Sequence, residues 1–504
     1  ACHFKSLRKK GMSIKTLKRF FFAERYGAEV VIPSMRPIAA WLALWNEDVR
    51  RELIRRKPEV LLAYGDPGTL SIEDRAKLLR AFAAAYGEGG WRGISISIGE
   101  IRRMAHPELA PVIRELWEKY FSSEEVSRLL LRLIWQGAIK GCADIAEEVV
   151  WDIQRSEYQR KLGVFCLVVC KQTTTLLDIT KSILDEHDKW PEKIIPELTQ
   201  ELFPKHLSVT ELIKLIKRVT TRREVSALSL YFQVIAKELD PLSCTAIDLR
   251  KEIASLIWQG RHDKQEGYWR IEGKYSYLSS GLAILCEKQL AGALANDDLI
   301  WACAVANRFG TKRNESNDPQ FHALKEHFKD NLALREKAFW IEADLMGCLV
   351  PAKEDRLIEH AVMDNSLIGH RTEAQLLLDQ AWLFKALKDT TVTRYRHIAL
   401  ESLLILWHLN ERSEKDEKEL VQAVADDTSL SEQVKKATAP VKPNPKKEKW
   451  ERRERRRECV RKGRERQRVE KWQQWRKKIL AHPDDAFCPE QEKTTLYYIY
   501  RWLE

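Results

Sequence analysis

The sequence predicts an all-α fold, an α-solenoid or HEAT-like helical array, and three observations carry that prediction. From about Glu47 to Asp427 apolar residues recur at three- and four-residue spacing, in runs of roughly 10–18 residues broken by polar turns. Helix start signals coincide with these runs, and Pro191, Pro241 and Pro351 fall between them. The 504 residues are 44% hydrophobic and 32% charged with only 21 Gly, which suits many short amphipathic helices and excludes collagen-like, wholly disordered and membrane-spanning classes.

Residues 1–45 read as a helical junction, and residues 46–430 as the repeat-like region. Val126, Leu129, Leu130, Leu133 and Ile134 form one stripe, Leu212, Leu215, Ile216 and Val219 a second, and Leu228, Phe232, Ile235 and Leu239 a third. Each needs a neighbour to bury it, because a short helix is marginal alone. Ser122 with Glu125, Ser208 with Glu211 and Thr372 with Gln375 have capping-box spacing, in which hydroxyl and carboxyl or amide satisfy orphaned backbone donors. "LIWQG" occurs at Leu133–Gly137 and Leu256–Gly260, with both glycines expected as helix stops. Two places break the helical period: Ile94, Ile96 and Ile98 alternate after a Gly-rich turn, and "YWRIEGKYSYL" from Tyr268 reads as a short hairpin. Residues 431–445, with prolines 440, 443 and 445, read as a stiff linker, and residues 446–504 as a basic helix with a helical cap.

Charge is concentrated in that last segment. Lys446–Lys478 holds 17 Lys and Arg against 6 Glu, which equals the formal +11 of the whole chain; the rest balances at 68 against 68. The basic character therefore describes one segment, which would span roughly 50 Å if helical. Within it Arg452, Arg453, Arg455, Arg456, Arg457, Arg461, Lys462, Arg464, Arg466 and Arg468 are candidates for binding nucleic acid or an acidic partner. A solvated helix stitched by Glu–Arg pairs is the alternative for the same residues. Trp269, Tyr275 and Tyr277 are candidates for a partner surface, with packing against the following helix as the alternative.

No catalytic constellation emerges, so catalytic and metal-binding residues are expected to be none. Phosphate cradling needs G-x-x-x-x-G-K-[ST]; "FGTKRN" at Phe309 lacks the first glycine and "GEGGWRG" at Gly87 lacks the lysine. His322 and His327 are five residues apart, about 140° around a helix, too far to share a metal. Asp297–Asp298, Asp426–Asp427 and Asp484–Asp485 have no partners that spacing alone supplies. The ten cysteines contain no C-x-x-C and sit mostly in apolar runs, as Cys166 and Cys170 do in "VFCLVVC", so reduced thiols and a cytoplasmic location are expected. No apolar run approaches the ~20 residues of a membrane span. The N-terminal "ACHFKSLRKKGMSIK" lacks the apolar core of a signal peptide and reads as a cut point within a longer polypeptide.

"RFFFAERYGAEVVIPSMRPIAAWLALWNEDVRRELIRRKPEVLLAYGDPGTLSIEDRAKLLRAF", followed by "IRRMAHPELAPVIRELW", resembles the region beyond the nucleotide-binding core of large bacterial NACHT-like (STAND) antiviral-defence NTPases. The likeness rests on the "IAAWLAL" helix at Ile38–Leu44, the turn from Pro58 to Pro67, the "AHPELAP" turn at Ala105–Pro111 and, more loosely, the Arg/Glu-rich segment and cap from Arg452 to Glu504. The resemblance implies a helical sensor or scaffold that restrains an NTPase module upstream of Ala1, recognises a protein trigger and contributes to homo-oligomerisation. ATP and Mg²⁺ are implied only for that upstream module, because no position here matches the family's phosphate- or magnesium-binding residues. The alternative from the residues themselves is a free-standing nucleic-acid-binding protein that uses the Arg-rich segment.

Overall fold

A computed structural model describes most of residues 10–438, with the longer interruptions at 263–270, 311–318 and 348–365. Outside that span it describes Phe4, Ser6, Leu7 and a few positions between 467 and 481. The chain divides into two compact units, Ala1–Arg412 and Ser413–Glu504.

The first unit opens with α1 (Ile14–Arg19), capped by Ser13, whose hydroxyl accepts the Thr16 N–H. The expected all-helical junction then contains an antiparallel hairpin, β1 (Phe22–Arg25) and β2 (Ala28–Val31), with Phe22 opposite Val31. Phe22 on one strand, Val30 and Val31 on the other and Gly27 at φ +73° in the turn favour pairing over helix. The hairpin is tied to the next helices by Arg55 and Arg56, which pair with Glu29, and by Arg56 over the Phe22 ring.

Helices then follow in close succession: α2 (Arg36–Ala43), α3 (Glu47–Arg56), α4 (Pro58–Tyr64), α5 (Ile72–Tyr86), α6 (Ile98–Met104), α7 (Ala110–Tyr120), α8 (Glu124–Gly137), α9 (Ala143–Trp151), α10 (Glu157–Val169) and α11 (Thr173–Asp185). They continue as α12 (Ile195–Leu202), α13 (Val209–Lys217), α14 (Arg222–Glu238), α15 (Cys244–Gln259), α16 (Ser279–Ala291), α17 (Asp297–Gly310), α18 (Pro319–Glu326), α19 (Leu332–Gly347), α20 (Glu373–Lys388) and α21 (Thr393–Leu409). The fold is an all-α helical array. Helices two apart along the chain pack side by side: α2, α4, α6, α8, α10, α12, α14, α16 and α18 touch in succession, α11, α13, α15, α17 and α19 do likewise, and α20 packs on α19. The two series bury their apolar stripes against each other, which places Leu129, Leu133, Leu215, Leu228 and Phe232 in the core.

Local signals hold with corrections. Ser208 and Glu211 form the expected capping box, and Ser156 with Gln159 forms another at the start of α10. Ser122 does not cap α8; Ser123 does, accepting the Val126 N–H, while Glu125 turns back to accept the Ile94 N–H. Thr372 lies outside the described residues. The two "LIWQG" ends differ: Gly137 stays inside α8 and Ala138 takes the left-handed position at φ 45°, whereas α15 stops before Gly260. A Cβ on Gly260 would sit 2.4 Å from a carbon of the Tyr275 ring, so close packing requires glycine there. Ile94 and Ile96 lie in a segment that forms neither helix nor strand, and Ser97 caps α6 and draws Ile98 into the helix. The hairpin expected at Tyr268–Leu278 is reduced, among the described residues, to one antiparallel bridge between Arg261 and Gly273, and residues 276–278 form a 3-10 turn.

At the far end of the first unit, fully buried ion pairs replace part of the apolar core. Arg308 pairs with Glu342, whose other oxygen accepts the Leu367 N–H, and Arg335 pairs bidentately with Asp379. In the second unit α22 (Glu414–Ala423) and α23 (Thr428–Thr438) are joined through Asp427, which accepts from Ser429 and Leu430 N–H groups. Residues 431–438, assigned to the linker by composition, are helical.

Candidate interaction face

Side chains that are neither core nor fully solvated mark out one face across α8, α10, α12 and α14. On α8 the stripe Val126, Leu129, Leu130, Leu133 and Ile134 is buried, which leaves Arg128, Arg132 and Trp135 on the opposite, half-buried face. On α10 the same division buries Leu162, Val164, Cys166 and Leu167 and turns Tyr158, Lys161 and Phe165 outward.

These side chains touch from helix to helix. The Arg128 guanidinium lies 4.9 Å from the Tyr158 ring centre, and Trp135 stacks on Phe165 at 4.6 Å with 15° between the planes. Lys161 Nζ lies 5.5 Å from the Phe165 ring centre, and it pairs with Glu197 on α12 at 2.9 Å and Glu224 on α14 at 3.5 Å. Tyr231 on α14 completes the row by donating its hydroxyl to Glu197 at 2.9 Å. Burial, followed by the Glu197 charge, pushes the Tyr231 phenol up to about 12. At the other end, Arg102 on α6 donates to Gln136 on α8 at 3.1 Å.

The electrostatics differ along the row. Lys161 is answered by two carboxylates with little exposed surface. Arg132 is not: burial lowers its pKa, the neighbouring Arg128 charge acts the same way, and no described carboxylate pairs with it. On α8 the face therefore presents Arg132, which no described carboxylate pairs, and it is closed by acidic groups on α12 and α14. Chemically it can hold an anion beside aromatic rings; it has no described nucleophile–base pair. Among the described residues no group of three His, Cys, Asp or Glu could hold a metal ion.

Arg452, Arg453, Arg455, Arg456, Arg457, Arg461, Lys462, Arg464, Arg466 and Arg468 lie outside the described residues, as does Trp269. Tyr275 is in the core rather than on a partner surface, because its ring packs against Gly260. Tyr277 is half-buried, and burial raises its phenol pKa. His322 and His327 point to different neighbours, Glu326 and Glu287. Asp297 pairs with Lys337, and Cys166 and Cys170 are core thiols. No helix of the described residues is long and apolar enough to cross a membrane. The face itself was readable in part: Arg128, Arg132 and Trp135 follow each other at helical spacing opposite an apolar stripe, and only the pairing of α8 with α10 shows that Tyr158 and Phe165 meet them. Comparison of the chain with protein-family models, with curated proteins and with solved structures gives no match.

Proposed function

We propose that the chain is a binding scaffold, the helical sensor or platform part of a bacterial STAND-type defence ATPase, whose α6–α14 face receives a partner. The nucleotide switch, with its ATP and Mg²⁺, belongs to a module outside this sequence. The carrying observation is the continuous row of Arg, Trp, Tyr and Phe side chains across consecutive helices, since such residues dominate binding energy at protein interfaces. Helices of one series presenting a shared face are also the geometry by which helical arrays hold partners. The experiment has two parts. The coding sequence in frame with Ala1, or an adjoining gene, should encode a phosphate-binding loop, and ATP turnover of the joint preparation should change with Trp135→Ala. A purified chain that hydrolyses ATP unaided, or the lack of any such loop nearby, would overturn the coupling.

The segment Lys446–Lys478 favours a second reading, nucleic-acid binding, through its 17 basic residues against 6 Glu. That reading requires affinity for an oligonucleotide that falls steeply with salt and vanishes when the segment is deleted; a flat salt response removes it.

A further inference from the structure

We propose that the α6–α8–α10 end of this face docks an acidic segment of a protein partner, one carboxylate seated at Arg132 and flanking aromatic or apolar side chains against Trp135 and Tyr158. The inference rests on the scaffold reading and adds the partner's chemistry.

Three observations support it. First, Arg132 is a half-buried cation without a described counter-charge, in a row with Arg128 and with Gln136, which in turn accepts from Arg102. A carboxylate offers a half-buried guanidinium a bidentate partner. Burial lowers its pKa, with the Tyr158 phenol opposing the shift and the Arg128 charge adding to it. Second, rings flank the row: Tyr158 is 42% exposed beneath Arg128, and Trp135 stacks with Phe165 one turn beyond Arg132. Third, the positive stretch ends abruptly, because Lys161 on α10 is consumed by Glu197 and Glu224. Neighbouring helix axes are roughly 8–10 Å apart, so the distance from Arg132 to the glutamates that hold Lys161 covers one or two helix spacings. That length suits one or two carboxylates. A nucleic-acid strand needs cations that track several successive phosphates, and here it would run onto two glutamates.

The test uses the full chain and a fluorescein-labelled peptide of alternating Glu and Phe, read by fluorescence anisotropy. A Lys/Phe peptide and an oligothymidylate of about 15 nucleotides serve as the other arms. The Glu/Phe peptide should bind, Arg132→Leu should weaken it about tenfold, and the Lys/Phe peptide should not bind. Arg132→Leu should also leave the thermal midpoint within about 2 °C of the native value, because no described carboxylate loses a partner. Arg102→Gln, an exposed change, should weaken the peptide about threefold and keeps the test valid if Arg132→Leu fails to fold. Equal affinity of native and both variant chains, or no binding of the Glu/Phe peptide, overturns the proposal. Oligothymidylate binding lost on Arg132→Leu overturns it too and assigns the face to nucleic acid. If the peptide fails while Trp135→Ala still alters ATP turnover of the joint preparation, this inference falls and the scaffold reading stands.

Discussion

Arg335 and Arg132 each lie on a helix of the same array, and their surroundings are opposite. Arg335 is fully buried and satisfied five times, by both Asp379 oxygens and by the carbonyls of Phe328, Lys329 and Ile368. Arg132 is half-buried and no described carboxylate answers it. The first arrangement draws α19, α20 and residues 366–368 together; the second ties α8 to no carboxylate of the described residues. The difference separates charge used for architecture from charge left over for binding, and it is open to measurement.

The largest effect should follow from breaking the closed arrangement. Asp379→Ala leaves Arg335 buried without its carboxylate and should destabilise the chain by about 3–5 kcal/mol in denaturant unfolding. Asp379→Leu with Arg335→Met should recover most of that loss, since replacing both ions removes the desolvation penalty of each. A loss near zero for Asp379→Ala would erase the contrast with Arg132.

Thiol chemistry draws the same line between core and face. Burial pushes the Cys142 thiol up to about 11 and raises Cys166 and Cys303 as well, so almost none of them is thiolate at pH 8. Cys244 is exposed at the start of α15. Iodoacetamide at pH 8 should label Cys244 more than about 100-fold faster than those three, read by peptide mass spectrometry. Comparable rates would mean that the α9–α10 and α16–α17 packing opens readily.

Within the face, Lys161 is the hinge between its closed and open ends. Lys161→Met leaves Glu197 and Glu224 facing each other and should cost roughly 1.5–3 kcal/mol. Tyr231→Phe should cost about 1 kcal/mol through the bond to Glu197. The sign with pH is fixed by the raised phenol pKa. Its contribution is whole below the unfolded value near 10, and it is lost as pH climbs toward about 12. The stability difference between native and Tyr231→Phe chains should therefore be constant up to about pH 10 and shrink above it.

The all-α array was legible in the sequence because each helix carries its own period, and a stripe such as Leu212, Leu215, Ile216 and Val219 needs no distant information to be recognised. The hairpin at Phe22–Val31 was hidden by the helical run that follows it, since two four-residue strands hold too few residues to show a period of two. Gly260 was legible as a stop, but its cause, the Tyr275 ring, comes from residues well downstream. The same limit applies to the face. Arg128, Arg132 and Trp135 are spaced along one helix, while Tyr158, Lys161, Glu197 and Tyr231 join them only through α8–α10–α12–α14 packing. Buried pairs such as Arg335–Asp379, 44 positions apart, leave no local trace at all.

The smallest effects test the finest sequence signal. Ser208 accepts the Glu211 N–H and Glu211 returns a bond to the Ser208 N–H, so Ser208→Ala should cost about 1 kcal/mol. At α8 the hydroxyl that matters is Ser123, which accepts from Val126 and donates to the Tyr86 carbonyl, although the spacing Ser122–Glu125 imitates a capping box. Ser123→Ala should therefore cost about 1 kcal/mol or more, and Ser122→Ala, at an exposed position, less than about 0.5 kcal/mol. If the order were reversed, α8 would start one residue earlier.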